Sequence, residues 1–145
     1  MTQIYNSFFR FFIVLIILFS FGCKEKEPFP VPNVPVNTLI NLNLPSYQEL
    51  NNPGGWTYIN GGSRGIFIYR NFDDFIAMDR HSTWDSENLE AIVAVDSLNQ
   101  FLLTDPISGS QYSVLDGTVT TGPAKWGLKR YNTSWDGLYT VQIYN

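Results

Sequence analysis

The sequence predicts an all-β domain built from short antiparallel strands, with two long loops at one end. Apolar and polar residues alternate over short segments, most clearly in 36–44, where apolar residues at 40, 42 and 44 are separated by asparagines. Clusters of Gly, Pro, Asn and Asp divide these segments, as expected of tight turns. No long segment has the 3.6-residue apolar period and the capping residues of a helix.

The strands are predicted in close succession. Residues 56–59 and 66–70 form a hairpin around the glycine-rich turn 60–65, and residues 45–55 form a connecting loop. Two long loops are predicted at 79–90 and 104–111. The other predicted strands are 36–44, 75–78, 90–95, 100–104, 111–115, 118–120, 128–131 and 137–144.

Composition limits the possible functions. The chain has 145 residues, enough for one domain with its own core, and a formal net charge of −4. This acidic balance argues against nucleic acid as a partner. One cysteine, Cys23, and one histidine, His81, exclude an internal disulfide, a thiolate metal cage and a Cys/His catalytic pair.

The N-terminal segment predicts export and lipidation. Residues 11–21 form an apolar run that is too short to span a bilayer and fits the apolar region of a signal peptide. Gly22-Cys23 followed by charged residues resembles a bacterial lipoprotein signal, which implies a leader at 1–22 and a lipidated Cys23. Residues 23–35, rich in proline, are expected to form an extended tether. The expected address is a bacterial membrane, with the outer membrane favoured, on the periplasmic side or the cell surface.

The order of loops and turns resembles the Rieske domain. Ala77-Met78-Asp79 precedes a long loop and a hairpin, and a Pro-x-x-Gly-Ser-x-Tyr corner, Asp-Gly and Gly-Pro-Ala follow. The resemblance covers about 36–145 and implies stacked sheets or a partial barrel. In that family a two-iron two-sulfur cluster is held by two cysteines and two histidines on two loops.

The resemblance places substituted residues at all four ligand positions. They are Ser82 and Trp84 in the first loop and Asp105 and Ser108 in the second. None can supply the thiolate and imidazole donors, so we expect no cofactor and no bound metal. Trp84 is expected to fill the space of the missing cluster. The accessory framework is retained, and we expect it to be structural: Gly109, Ser110, Tyr112, Gly122, Pro123 and Ala124.

Two other chemistries are weaker interpretations of the same loops. Asp79, His81, Asp85 and Asp105 could form a metal site, although their spacing matches no ligand motif and a solvated acidic loop is the simpler interpretation. Ser82 or Ser108 with His81 could suggest nucleophilic catalysis, but no nucleophile elbow or oxyanion motif surrounds them. No enzymatic activity is therefore predicted.

The function predicted from these features is that of a membrane-anchored, cluster-less Rieske-like lipoprotein. It would act as a binding or structural module of the bacterial cell envelope, with an envelope protein as a possible partner. A second hypothesis is a non-cluster subunit or accessory of an envelope electron-transfer complex. A third is a glycan or metal binder that uses Trp84 and the acidic loop.

Overall fold

The computed structural model describes residues 29–145, and within them the chain forms two antiparallel sheets. The predicted leader, 1–22, and Cys23 lie outside the described residues. The all-β prediction is confirmed. The strands are β1 (Asn37–Asn41), β2 (Trp56–Ile59), β3 (Ile66–Asn71), β4 (Asp74–Asp79), β5 (Ala94–Val95), β6 (Leu102–Thr104), β7 (Gln111–Ser113), β8 (Val119–Thr121), β9 (Arg130–Trp135) and β10 (Thr140–Tyr144).

The β3–β4 hairpin of the larger sheet separates two hydrophobic cores, and the smaller sheet packs over one of them. The larger sheet has the order β1-β10-β9-β4-β3-β2, and the smaller one β5-β6-β7-β8. Ile66 and Ile68 of β3 pack in one core, whereas the alternating Phe67 and Tyr69 pack in the other. β3 is therefore buried on both faces, and the first loop leaves β4 at Asp79, between the two sheets.

The region after β1 differs from the prediction. The strand predicted over 36–44 covers only Asn37–Asn41, and part of the predicted loop forms a 3₁₀ helix at Pro45–Asn51. Pro45 suits the first helical turn, where no backbone donor is needed. Leu50 of this helix is fully buried in the core of the larger sheet. One buried residue in seven leaves no periodic pattern that the sequence could reveal.

Besides the strand predicted over 36–44, four predicted strands are shorter in the structure, namely 90–95, 100–104, 111–115 and 137–144. In the first of them only Ala94–Val95 is a strand. The residues before it bond to the first loop instead: the carbonyl of Ala91 accepts the amide of Ser82 at 3.1 Å and the guanidinium of Arg64 at 3.3 Å, and Ile92 forms an isolated bridge with His81. The strand predicted over 137–144 begins at Thr140. Asp136 Oδ1 accepts the amides of Leu138 and Thr140 at 2.7 and 3.0 Å and forms a turn there. The strand predicted over 128–131 instead spans Arg130–Trp135.

The described end of the predicted tether packs against the domain. Val31 is buried, and Lys129 Nζ donates to the carbonyl of Pro32 at 3.1 Å. No helix within 29–145 has the length and apolar character needed to span a bilayer.

Candidate functional site

Three of the four predicted ligand positions converge around one buried carboxylate. Asp105 is fully buried, and its Oδ2 accepts hydrogen bonds from Ser82 Oγ at 2.7 Å and from Ser108 Oγ at 2.6 Å. The amide of Ile107 donates to Asp105 Oδ1 at 2.9 Å. We call Ser82, Asp105 and Ser108 the hydroxyl–carboxylate cluster. It joins the first loop to the second in the place where the sequence resemblance puts metal ligands.

The second loop is closed by its own backbone. Asp105 follows β6, and its amide donates to the carbonyl of Ser110 at 2.9 Å. Its carbonyl accepts the amide of Gly109, also at 2.9 Å. These two bonds turn the chain directly into β7, so the Asp105 side chain is held in a fixed position between the loops.

The Gly-Pro-Ala segment forms a third loop that packs on the second. Ser110 Oγ accepts the amide of Ala124 at 3.2 Å and lies 2.8 Å from Ser108 Oγ. Gly122 has φ of 103°, and a Cβ there would lie 2.6 Å from the Cα of Ser110. Only glycine permits this approach, so the retained Gly-Pro-Ala framework, which includes Pro123, has a structural role in joining two loops.

Thr83 completes the contact between the loops, and sequence reasoning missed it. Its Oγ1 lies 3.1 Å from the Tyr112 hydroxyl and donates to the carbonyl of Trp126 in the third loop. Tyr112 OH also lies 3.4 Å from Ser82 Oγ. Nothing in the local sequence marks Thr83, because its partners lie about thirty and forty residues further along the chain.

Trp84 does not fill the space between the loops, so that expectation was wrong. Its side chain is 44% exposed, and only its backbone amide approaches the cluster, 3.4 Å from Ser82 Oγ. Thr83 takes the inward position and Trp84 lies on the solvent side. The small hydroxyl groups and one carboxylate satisfy one another, which leaves no polar group there for an indole to cover.

A second polar cluster lies where the first loop begins. The buried Asp79 carboxylate accepts the amides of Ser63, Arg64 and His81 at 2.6, 3.2 and 2.9 Å, and the Tyr131 hydroxyl at 2.7 Å. Burial, together with this carboxylate, raises the pKa of Tyr131 well above its usual range. The glycine-rich turn, which the sequence predicted only as a hairpin connection, is thereby bound to the first loop.

His81 is buried and fully hydrogen-bonded. Its Nε2 lies 2.8 Å from the carbonyl of Ser86, which can only accept, so Nε2 carries the proton. Nδ1 then accepts from Ser63 Oγ at 2.8 Å. Burial is the main cause that lowers the pKa of His81, and the Arg64 charge acts in the same direction. The ring is therefore neutral near pH 7.

The hydrogen bonds within these loops disfavour both the metal site and the nucleophilic serine that the sequence suggested. Within 29–145, no group of three or more His, Cys, Asp or Glu side chains is arranged to hold a metal ion. Asp79 and Asp105 each hold their own donors in separate clusters. Neither Ser82 nor Ser108 is hydrogen-bonded to His81, so no Ser–His pair forms at the positions that the resemblance assigns to ligands.

The residues between the loops do not fit an iron–sulfur cluster. A Rieske-type cluster takes two thiolates and two imidazoles. The four positions supply two hydroxyls, a carboxylate and an outward-facing indole, and both hydroxyls donate to the carboxylate.

Comparisons with solved structures agree with the fold. A chain of the structure described as the complex of reduced oxygenase and oxidized ferredoxin in carbazole 1,9a-dioxygenase is 18% identical, with a TM-score of 0.52. The match covers 75% of this chain and 93% of that one. The fold is Rieske-like. No protein-family model and no curated protein match the sequence.

Two further solved structures are similar over most of the chain. The ferredoxin of carbazole 1,9a-dioxygenase from Nocardioides aromaticivorans IC177 is 18% identical, covering 77% of this chain and 98% of that one, with a TM-score of 0.48. The crystal structure described as a putative NADH-dependent nitrite reductase small subunit from Mycobacterium tuberculosis is 15% identical, covering 78% and 97%, with a TM-score of 0.47.

Proposed function

We propose that this chain is a lipid-anchored, cluster-less Rieske-like protein that acts as a binding or structural module of the bacterial cell envelope. The observation that carries the proposal is the hydroxyl–carboxylate cluster. Ser82 and Ser108 each donate a hydrogen bond to Asp105 Oδ2, and all three residues stand at positions where the resemblance places ligands. Two loops that would otherwise be joined through a metal centre are joined here by protein groups alone.

This substitution has a thermodynamic consequence. A protein whose loops are held by a metal centre couples folding to metal binding and loses structure when the metal is removed. Here the buried Asp105 carboxylate has three donors, so it needs no cation to be satisfied. The proposed module therefore folds and binds without a redox group.

The envelope address rests on the N-terminal sequence. The apolar run 11–21 and Gly22-Cys23 support processing and lipidation at Cys23. Two acyl chains on one residue give stable membrane attachment. A protein of the same envelope is the proposed partner of the module.

Metal analysis of the purified protein tests the loss of the cluster. The chain should be produced in cells that assemble iron–sulfur clusters, purified without chelator, and measured for iron and visible absorption. We expect far less than one iron per chain and no visible absorption band. Stoichiometric iron together with a visible band would overturn the proposal.

The mass of the membrane-extracted protein tests the anchor. We expect cleavage before Cys23 and the added mass of acyl groups on that residue. In a Cys23→Ser variant the protein should leave the membrane fraction. An unmodified N-terminus on the wild-type protein would contradict lipidation, whatever the result of the iron measurement.

A further inference from the structure

The chain enters the described domain at its loop end. The Phe29 ring packs edge-on against the Trp126 ring, with centroids 6.0 Å apart and an interplanar angle of 82°. Trp126 belongs to the third loop, and its carbonyl accepts a hydrogen bond from Thr83 of the first loop. Phe29 therefore lies at the loop end of the sheets, the end that also holds the hydroxyl–carboxylate cluster.

The segment that follows Phe29 is held in place. Val31 is 4% exposed, and Lys129 Nζ donates to the carbonyl of Pro32 at 3.1 Å and to Asn33 Oδ1 at 2.6 Å. The carbonyl of Lys129 accepts the amide of Asp79 at 2.8 Å, at the start of the first loop. Residues 29–33 thus run along the loop end as part of the domain and do not form a free hinge.

The loop end also exposes large apolar side chains from three separate segments. Trp84 of the first loop and Ile107 of the second are each 44% exposed, and Phe29 is 43% exposed. Ile107 lies two residues after Asp105, and Trp84 lies two residues after Ser82, so the hydroxyl–carboxylate cluster holds both at the same end. We call Phe29, Trp84 and Ile107 the apolar tip.

We propose that the apolar tip lies against the surface of the lipid bilayer, with Trp84 in the interfacial region. This inference rests on the proposed function, because it requires a lipid on Cys23. It adds an orientation and a second membrane contact that lipidation alone does not imply.

The length of chain between Cys23 and Phe29 limits the possible orientations. Six Cα steps span at most about 20 Å when fully extended. β3 and β4, each of six residues, run about 20 Å away from the loop end. A chain of that length, leaving the domain at the loop end, keeps this end nearest the lipid and the opposite end away from it.

The chemistry of the tip favours a bilayer with zwitterionic headgroups. Tryptophan is favoured at the membrane interface, where its ring is buried and its N–H meets water. The loop end carries nearly balanced charges: Asp79, Asp85, Glu87, Glu90 and Asp105 against Arg64, Arg80, Lys125 and Lys129. Because a surface without a basic excess gains no attraction from anionic headgroups, phosphatidylcholine or phosphatidylethanolamine is the expected surface.

Vesicles with brominated acyl chains test the contact directly. The chain from residue 23 keeps every described strand and both cores, and Cys23 is its sole cysteine. Its thiol can be coupled to a maleimide lipid in brominated phosphatidylcholine vesicles. We expect bromine to quench the exposed Trp84 more strongly than the partly buried Trp126 at the same end, so that Trp84→Phe removes most of the quenched signal.

Trp56→Phe is the matched control. Trp56 pairs with Tyr69, and Ile59, three residues later in β2, pairs with Ile66 beside Asp79. Trp56 is therefore about 10 Å further from the loop end. Its replacement should leave the quenching unchanged, whereas Ile107→Glu should at least halve it. Equal effects of the two Trp variants, or no quenching in the wild-type protein, would overturn the inference.

This design separates the orientation from the lipidation. Chemical coupling supplies the lipid, so an unmodified Cys23 in cells would contradict the proposed function without affecting the vesicle result. Conversely, Trp84 that is unquenched on vesicles but protected from iodide in native membranes would show that a protein covers the apolar tip, which would overturn the bilayer contact.

Discussion

Ser82 Oγ donates a hydrogen bond of 2.7 Å to Asp105 Oδ2, and this bond joins two loops across 23 residues of sequence. Ser108 donates to the same oxygen from within the second loop. One carboxylate thus carries the connection between the loops.

Replacement of Asp105 by Asn should destabilise the whole domain. The amide has one accepting oxygen and one NH₂ group that only donates. Its NH₂ group must therefore face either the Ile107 amide or the two hydroxyls, so at least one buried donor loses its acceptor. Hydrogen bonds to charged groups contribute about 1.5–3 kcal/mol each, so we expect a loss of about 2 kcal/mol in the free energy of unfolding, measured with urea. Asp73→Asn, at an exposed residue, is the control and should change stability by less than about 0.5 kcal/mol. Equal stability of the two variants would refute the role of Asp105.

Stability should depend on the protonation of His81. Its pKa in the folded state is lowered, chiefly by burial, so the folded protein binds this proton less tightly than the unfolded chain does. The stability contributed by the neutral ring is present above the ordinary value of about 6.5 and is lost as the pH falls through the folded pKa. Since His81 is the sole histidine, the melting temperature should fall between pH 7 and pH 5 in the wild-type protein.

The matched variant for this prediction is His81→Gln. Its amide keeps a donor toward the carbonyl of Ser86 but does not titrate, so the slope between pH 7 and pH 5 should flatten, even if the variant is less stable overall. A slope that is unchanged in this variant would assign the pH dependence to other groups.

Gly62→Ala should be among the most damaging single changes in the glycine-rich turn. A Cβ at this position would lie 2.5 Å from both Asp79 Oδ2 and Tyr131 OH, whose hydrogen bond it would break. Gly137→Ala is the control. Its backbone is also left-handed, with φ of 81° compared with 61° at Gly62, but no atom lies within 4 Å of the new Cβ. Both variants carry the cost of a left-handed backbone, about 1 kcal/mol. Gly62→Ala should lose at least about 2 kcal/mol more in thermal or urea unfolding.

Arg64→Lys should loosen the first loop without unfolding the domain. The guanidinium donates to the carbonyls of Ser86 and Ala91 at 3.0 and 3.3 Å and also to that of Asn88. An ammonium group cannot reach three carbonyls in one plane. Amide exchange of the peptide covering 84–91 should be about tenfold faster, which corresponds to about 1.4 kcal/mol of local stability. Arg130→Lys, at an exposed residue of β9, should leave this exchange unchanged.

The strands were predictable where their formation depends on local alternation. Residues 56–59 are a strand as predicted, because apolar packing and turn residues agree there. The predicted bounds were wrong where the backbone bonds to a distant loop outside a regular strand pair, as Ala91 does to Ser82, or where a nearby side chain binds the amides, as Asp136 does before β10. Alternation reports which residues are buried and carries no information on which group satisfies a carbonyl or an amide.

The candidate site was predictable in its positions but not in its chemistry. The order of the loops and corners pointed to Ser82, Asp105 and Ser108, and it also pointed to Trp84, which the structure places on the solvent side. Thr83, Ser63 and Arg64 were not identified, since each acts on groups more than fifteen residues away. Only the packed loops show which of the small polar residues share a hydrogen bond.

The sequence by itself determined an all-β domain and the absence of thiolate ligands beyond residue 23, because residue types and their alternation are local properties. The tertiary structure decided that the Asp105 carboxylate is satisfied by Ser82 and Ser108 and that Phe29 packs on Trp126 beside the loops. Both depend on contacts between distant segments, whose geometry is set when the two sheets pack on either side of the β3–β4 hairpin.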